Sequence, residues 1–149
     1  MSEFLEITID KFTFKVAADR LYTADHLWLK PEMEGVRVGL SDYLQQTSGD
    51  VAFAELQAEG TTLTPGDELA AIETMKTNLS IPSPISGVIK AVNPRLEDEP
   101  ELINEAPYEA GWLVLVEPNV WEEDKLNLLD AQAYFARMTA EAEQEAKNR

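Results

Sequence analysis

Residues 69–87 read LAAIETMKTNLSIPSPISG, and the middle of this stretch decides the fold. Two strand-like runs, Leu69 to Glu73 and Leu79 to Ile81, leave Thr74, Met75, Lys76 and Thr77 to make the turn between them. Tight hairpins favour Asn, Asp or Gly at the apex, because those residues tolerate left-handed backbone. Met-Lys is therefore an unusual choice. A turn residue points its side chain into solvent from a stiff base, where another protein can reach it. Lys76 is also the only basic residue between Val38 and Ile89, a stretch that holds Asp42, Asp50, Glu55, Glu59, Asp67, Glu68 and Glu73. On this evidence alone Lys76 is either a plain solvated lysine or an amine raised for acylation.

The same short-strand texture extends outward. Ile7, Ile9, Phe12, Phe14 and Val16 alternate through ITIDKFTFKV, the period of a strand or hairpin. Further runs cover His26 to Lys30, Val36 to Leu40, Val51 to Leu56, Val88 to Val92 and Trp112 to Val116. Turn signals separate them, among them Glu34-Gly35, Ser48-Gly49-Asp50, Glu59-Gly60, Pro65-Gly66-Asp67 and Ser86-Gly87. A Gly opens a run at Gly49 and again at Gly87, one on each side of the 69–81 hairpin, a faint internal echo. Many short strands with frequent turns imply a sandwich or flattened barrel.

Two segments read as helix. Ser41 to Thr47 looks like a short helix capped by Ser41. The tail from Asn119 is the one long candidate, with Asn119 as cap and Glu122 in capping-box register. Leu126, Leu129, Ala133, Ala136 and Ala140 would form its apolar stripe. The last residues, EAEQEAKNR, are polar all round and are expected to fray.

Composition narrows the chemistry. A chain of 149 residues with 44% apolar and 27% charged residues suits one compact domain, residues 1–149. Its core is expected over 22–134, with a helical tail over 135–149. Twelve basic against 28 acidic residues give a formal charge of -16. Such a surface repels nucleic acid and anionic membrane and favours partners with basic faces. Acidity that merely keeps the protein soluble, or reflects a saline or alkaline habitat, would look the same. There is no cysteine, so disulfides, thiolate metal sites and cysteine nucleophiles are excluded, and any thiol chemistry must come from a cofactor. His26 is the only histidine, which rules out a multi-histidine metal site within one chain and leaves a structural role as the expectation. The cluster Glu97-Asp98-Glu99 with Glu101 fits no EF-hand spacing and reads as a solvated face. Trp112 and Trp121 sit among apolar runs and are expected in the core. No apolar run approaches a membrane span and the N-terminus lacks a signal-peptide layout, so a cytoplasmic protein is expected.

An amide on Lys76 would replace its charge with a long, flexible, largely apolar arm. Rigid strands on both sides would localise the root and leave the end free, raising the effective concentration seen by each partner. The hard chemistry would then belong to the cofactor.

Longer motifs point the same way. Glu73-Thr74-Met75-Lys76-Thr77, followed by Pro84-Ile85-Ser86-Gly87, resembles the lipoylation motif of the glycine cleavage H-protein family. NPRLEDEPELINEAPYEAGW over 93–112 resembles that family's downstream signature. Tyr22-Thr23, His26, Trp28, the stretch 38–56, Leu129-Asp130-Ala131 and Tyr134 also match, so the likeness runs from about Tyr22 to Tyr134. The resemblance implies a mostly β, lipoyl-type flattened barrel or sandwich (a barrel-sandwich hybrid) with short helices and a C-terminal helix. It implies lipoate in amide linkage on Lys76 of a carrier that is not an enzyme. Glu73, Thr74, Met75 and Thr77 would shape the turn that a lipoate-loading enzyme reads.

Departures cluster at the same place. The family usually has Ser-Val before the lysine, Asp four residues after it and Glu between His and Trp; here stand Thr74-Met75, Ser80 and Leu27. Pro82 stands where an aromatic residue is common, and an additional strand-like segment precedes Tyr22. Altered surroundings suggest altered partners. The chain also resembles the H-like lipoate-binding proteins of sulfur-oxidising microbes, where the arm would carry sulfur to or from a heterodisulfide-reductase-like complex, and the expectation leans that way. The alternative is glycine cleavage, with an aminomethyl group passed among glycine decarboxylase, aminomethyltransferase and dihydrolipoyl dehydrogenase. Met75-Lys76 also resembles the Met-Lys of biotin carriers, a remote alternative, because Thr77 replaces their following Met.

Overall fold

The structure, a computed structural model, describes residues 3–148. The chain opens with a hairpin of β1 (Phe4–Ile9) and β2 (Phe12–Ala17), turning through Asp10 at φ 58°. Then come β3 (Leu21–Tyr22), β4 (Leu27–Glu32), β5 (Gly35–Leu40) and α1 (Asp42–Ser48). They are followed by β6 (Val51–Leu56), β7 (Thr62–Leu63), β8 (Glu68–Thr74), β9 (Asn78–Pro82) and β10 (Gly87–Val92). A 3-10 turn at Pro94–Glu97, α2 (Leu102–Glu105), β11 (Val114–Pro118), α3 (Trp121–Asp124) and α4 (Ala131–Lys147) complete it.

Six antiparallel strands form one sheet in the order β3-β4-β5-β11-β10-β7, and β6-β8-β9 form a second. The main core joins the two: Leu29, Val38, Val114 and Val116 from the larger sheet meet Leu69, Ile72 and Ile81 from the smaller. This is the mostly β sandwich that alternation and turn signals imply, with the C-terminal helix that the family resemblance implies. A second core lies outside it, where Phe14 and Val16 of β2, Tyr43 of α1 and Tyr134, Met138 and Ala142 of α4 pack around Tyr22 and Trp28. Tyr22 and Tyr134 stack with ring centroids 4.3 Å apart.

The tail corrects the sequence reading. No single helix runs from Asn119. α3 gives way to a 3-10 turn at Lys125–Asn127, and the chain then extends so that Leu129 bridges Tyr22 through two 2.8 Å main-chain hydrogen bonds. A helix there would consume the same groups. α4 starts instead at Asp130, whose carboxylate accepts the Ala133 N–H at 2.7 Å. Its inward face is Ala131, Tyr134, Met138 and Ala142, whereas Ala133, Ala136 and Ala140 are exposed. The tyrosine and methionine bury far more apolar surface than the alanines, so they choose the face. Nor does the polar end fray before Lys147: Ala142 is buried, and Glu141 meets His26 at 2.8 Å. Trp28, with its ring N–H on the Pro107 carbonyl at 2.9 Å, is the fully buried tryptophan; Trp112 and Trp121 are half-buried.

Candidate functional site

Lys76 sits on the tip between β8 and β9, and Thr74 builds that tip. The Thr74 hydroxyl donates to the Ser48 carbonyl at 2.6 Å and accepts the N–H groups of Lys76 and Thr77 at 3.1 and 2.9 Å. The Thr74 N–H closes the turn on the Thr77 carbonyl at 2.8 Å. A buried side chain therefore replaces the Asn or Gly that such a turn would otherwise use.

The tip rests on a neighbouring loop. The Met75 N–H donates to the Asp50 carbonyl at 2.8 Å. Asn104 of α2 clamps that loop from behind: its amide donates to the Gly49 carbonyl and the Gln45 side chain, both at 3.0 Å, and its oxygen accepts the Val51 N–H at 2.8 Å. Asn104 falls within the 93–112 stretch that resembles the family signature, but its clamping role is not legible there, because its partners lie more than fifty residues away. Gly49 sits at φ 93°, ψ -178°, a region open essentially to glycine, and a Cβ there would stand 3.2 Å from the Lys76 Cβ.

The lysine is exposed but not adrift. Its ammonium donates to the Thr47 carbonyl at 2.9 Å, in the last turn of α1. The negative end of a helix favours a cation at that point. Beside it lies a cavity of about 320 Å³, walled by Phe12 and Phe14 of β2, Tyr43 and Gln46 of α1, and Ala142 and Glu145 of α4. Of the other residues singled out at the turn, Thr74 is buried, while Glu73, Met75 and Thr77 are exposed, Met75 to 80%. Ser80, four residues after the lysine, donates to Glu68 at 2.7 Å.

His26 lies away from the tip, in the second core. Its ring nitrogens meet the Tyr134 hydroxyl and Glu141, each at 2.8 Å, and its φ is 71°. The role is structural, joining β4 to α4. Among the described residues no group of three or more His, Cys, Asp or Glu could hold a metal ion, and no helix is long and apolar enough to cross a membrane.

The fold is thus a β-sandwich that braces one lysine on a hairpin tip, beside a groove lined by aromatic rings. The family model described as glycine cleavage H-protein matches residues 20–141. The chain is 41% identical to the glycine cleavage system H protein of Geobacillus kaustophilus, over 77% of this chain and 90% of that one. It is 42% identical to the H protein of Listeria monocytogenes serotype 4a, over 78% and 92%, and 43% identical to a probable H protein of Thermococcus kodakarensis, over 81% and 90%. The crystal structure of a glycine cleavage system H protein from Mycobacterium marinum is similar with a TM-score of 0.71 at 33% identity, covering 80% of this chain and 96% of that chain. The chain belongs to the glycine cleavage H-protein family. Its members are carriers that hold lipoate covalently on a lysine. β1 and β2, and the last turns of α4, lie outside the matched residues.

Proposed function

We propose that Lys76 is the lipoate attachment point and that the chain acts as a single carrier domain of glycine cleavage. A lipoate-loading enzyme would acylate the amine. Glycine decarboxylase, aminomethyltransferase and dihydrolipoyl dehydrogenase would then be visited in turn in the cytoplasm, the aminomethyl group travelling on the carrier. When bound, lipoate supplies a redox-active pair of sulfur atoms on a tether, which this cysteine-free chain does not have.

The observation that carries this reading is the braced tip. Thr74, the Asp50 carbonyl and Gly49 hold one lysine outward, and no other basic residue lies between Val38 and Ile89. The residues fit the group. An amide nitrogen at this place keeps one N–H for the Thr47 carbonyl, and the rings of Phe12, Phe14 and Tyr43 give a hydrocarbon tether a surface to lie against. Glu73, Met75 and Thr77 offer exposed contacts for the loading enzyme, while Thr74 shapes the turn from within. The relatives named above all bear the glycine cleavage name, which favours that pathway over sulfur transfer to a heterodisulfide-reductase-like complex.

Intact mass after incubation with a lipoate–protein ligase, ATP and lipoate tests the attachment. The wild-type chain gains one lipoyl group, and Lys76→Arg gains none. Incubation with a biotin–protein ligase leaves both unchanged. The loaded chain then supports glycine decarboxylation by purified glycine decarboxylase; loading without such support would turn the reading back toward sulfur transfer.

A further inference from the structure

The outer face of the small sheet carries a feature that the core does not explain. Val51, Ala54 and Leu56 of β6 face inward and pack on the main core. Strict alternation from Val51 would send Phe53 inward as well. It does not go there. Between Val51, paired with Thr74, and Phe53, paired with Glu73, the register shifts, and Ala52 is the extra residue of a bulge. The bulge flips the parity of the strand, so Phe53 stands outward and 55% exposed. Shallow hollows of about 310 and 300 Å³ flank its ring, one towards Ala71 and Asn78, the other towards Val92 and Pro94. Their charged rim is Glu55, Glu73 and Glu97.

We propose that this ridge is the docking surface for the enzyme that acylates Lys76, which meets it with an apolar socket for Phe53 bordered by Lys and Arg. The inference rests on Lys76 being the acylated residue. Position argues for this occupant. Glu73, directly across from Phe53, precedes Lys76 by three residues, so at most about 10 Å of chain separates the two even at the rise of a strand. A stable interface covers roughly 800 Å² per partner, a patch about 16 Å in radius, so an enzyme that closes on the hairpin tip has the reach to cover Phe53 as well. Partners that take cargo from the far end of a long arm have no such need to approach its root. Charge complementarity sets the chemistry of the enzyme's face, because three carboxylates border the ridge. Aromatic side chains such as Phe are also enriched at protein interfaces, where they serve as anchors.

Steady-state loading by purified lipoate–protein ligase, with the full chain as substrate, tests the proposal on Phe53→Ser, Phe53→Leu and Glu55→Lys. Phe53→Ser raises KM at least tenfold with kcat within twofold, and Phe53→Leu restores most of the loss. Glu55→Lys raises KM about fivefold and flattens its dependence on salt. Matching thermal transitions establish that the variants fold. Phe53→Ser, once loaded at high enzyme concentration, serves glycine decarboxylase as the wild type does. An unchanged KM for Phe53→Ser, or a defect confined to the decarboxylase step, overturns the docking assignment and leaves Lys76 standing. A wild-type chain that accepts no lipoyl group overturns both.

Discussion

The ammonium of Lys76 donates to the main-chain oxygen of Thr47 at 2.9 Å, tying the tip of the β8–β9 hairpin to the end of α1. The contact joins residues 29 apart in sequence and directs the lysine side chain towards the groove between β2 and α4.

The Thr74 hydroxyl holds the turn, so Thr74→Val leaves the N–H groups of Lys76 and Thr77 without their acceptor. A loss of about 1–2 kcal/mol is expected, because these amides are only partly buried while the Ser48 carbonyl also loses its donor, and loading should slow. Thr74→Ser keeps the hydroxyl and should restore most of both. Chemical denaturation and ligase kinetics on the two variants check this; equal behaviour of Val and wild type would mean that the turn holds itself.

Gly49 is required twice, once by its backbone and once by Lys76. Gly49→Ala strains a φ of 93° and pushes a methyl to 3.2 Å from the lysine Cβ. We expect about 1–3 kcal/mol of destabilisation. Exchange protection should fall at Met75, whose N–H depends on the neighbouring Asp50 carbonyl. Amide hydrogen exchange would show it, and an unaltered Met75 amide would count against the brace.

Alkaline pH should unfold the chain through its second core. Burial pushes the phenols of Tyr22 and Tyr134 far above their ordinary value near 10, and that of Tyr108 up to about 12. Above pH 10 the unfolded chain releases these protons while the folded chain holds them. The folded state then binds more protons, and its stability falls as pH rises. Below pH 10 the three groups are neutral in both states and the effect vanishes. Phenolate absorbance followed together with circular dichroism checks this: the signal of these tyrosines should appear only with loss of structure. Titration near pH 10 in an intact fold would refute it.

Much of the scaffold was legible because strands announce themselves locally. Alternation and turn residues placed β6 over Val51–Leu56 and came within two residues of either end of β4, β5, β8, β9, β10 and β11. Ser41 caps α1 as its spacing implied, with its hydroxyl accepting the Leu44 N–H. The tail was misread for a physical reason. Two leucines and three alanines make a plausible stripe, but Tyr134 and Met138 bury more area than the alanines, and the Leu129–Tyr22 bridge claims backbone that a continuous helix would need. The bulge at Ala52 left no mark, since the run from Val51 to Leu56 reads as a plain strand.

The sequence by itself determined that a lone lysine stands at a turn between two strands, in a cysteine-free and strongly acidic chain, because these are properties of neighbours along the chain. Tertiary structure alone decided what holds that lysine and what lies beside it. Thr47, Gly49, Asp50 and Asn104 converge on the tip from two other segments, and the groove needs β2, α1 and α4 together. Such convergence is set by which surfaces fit one another in three dimensions, and a one-dimensional pattern of polarity does not encode it.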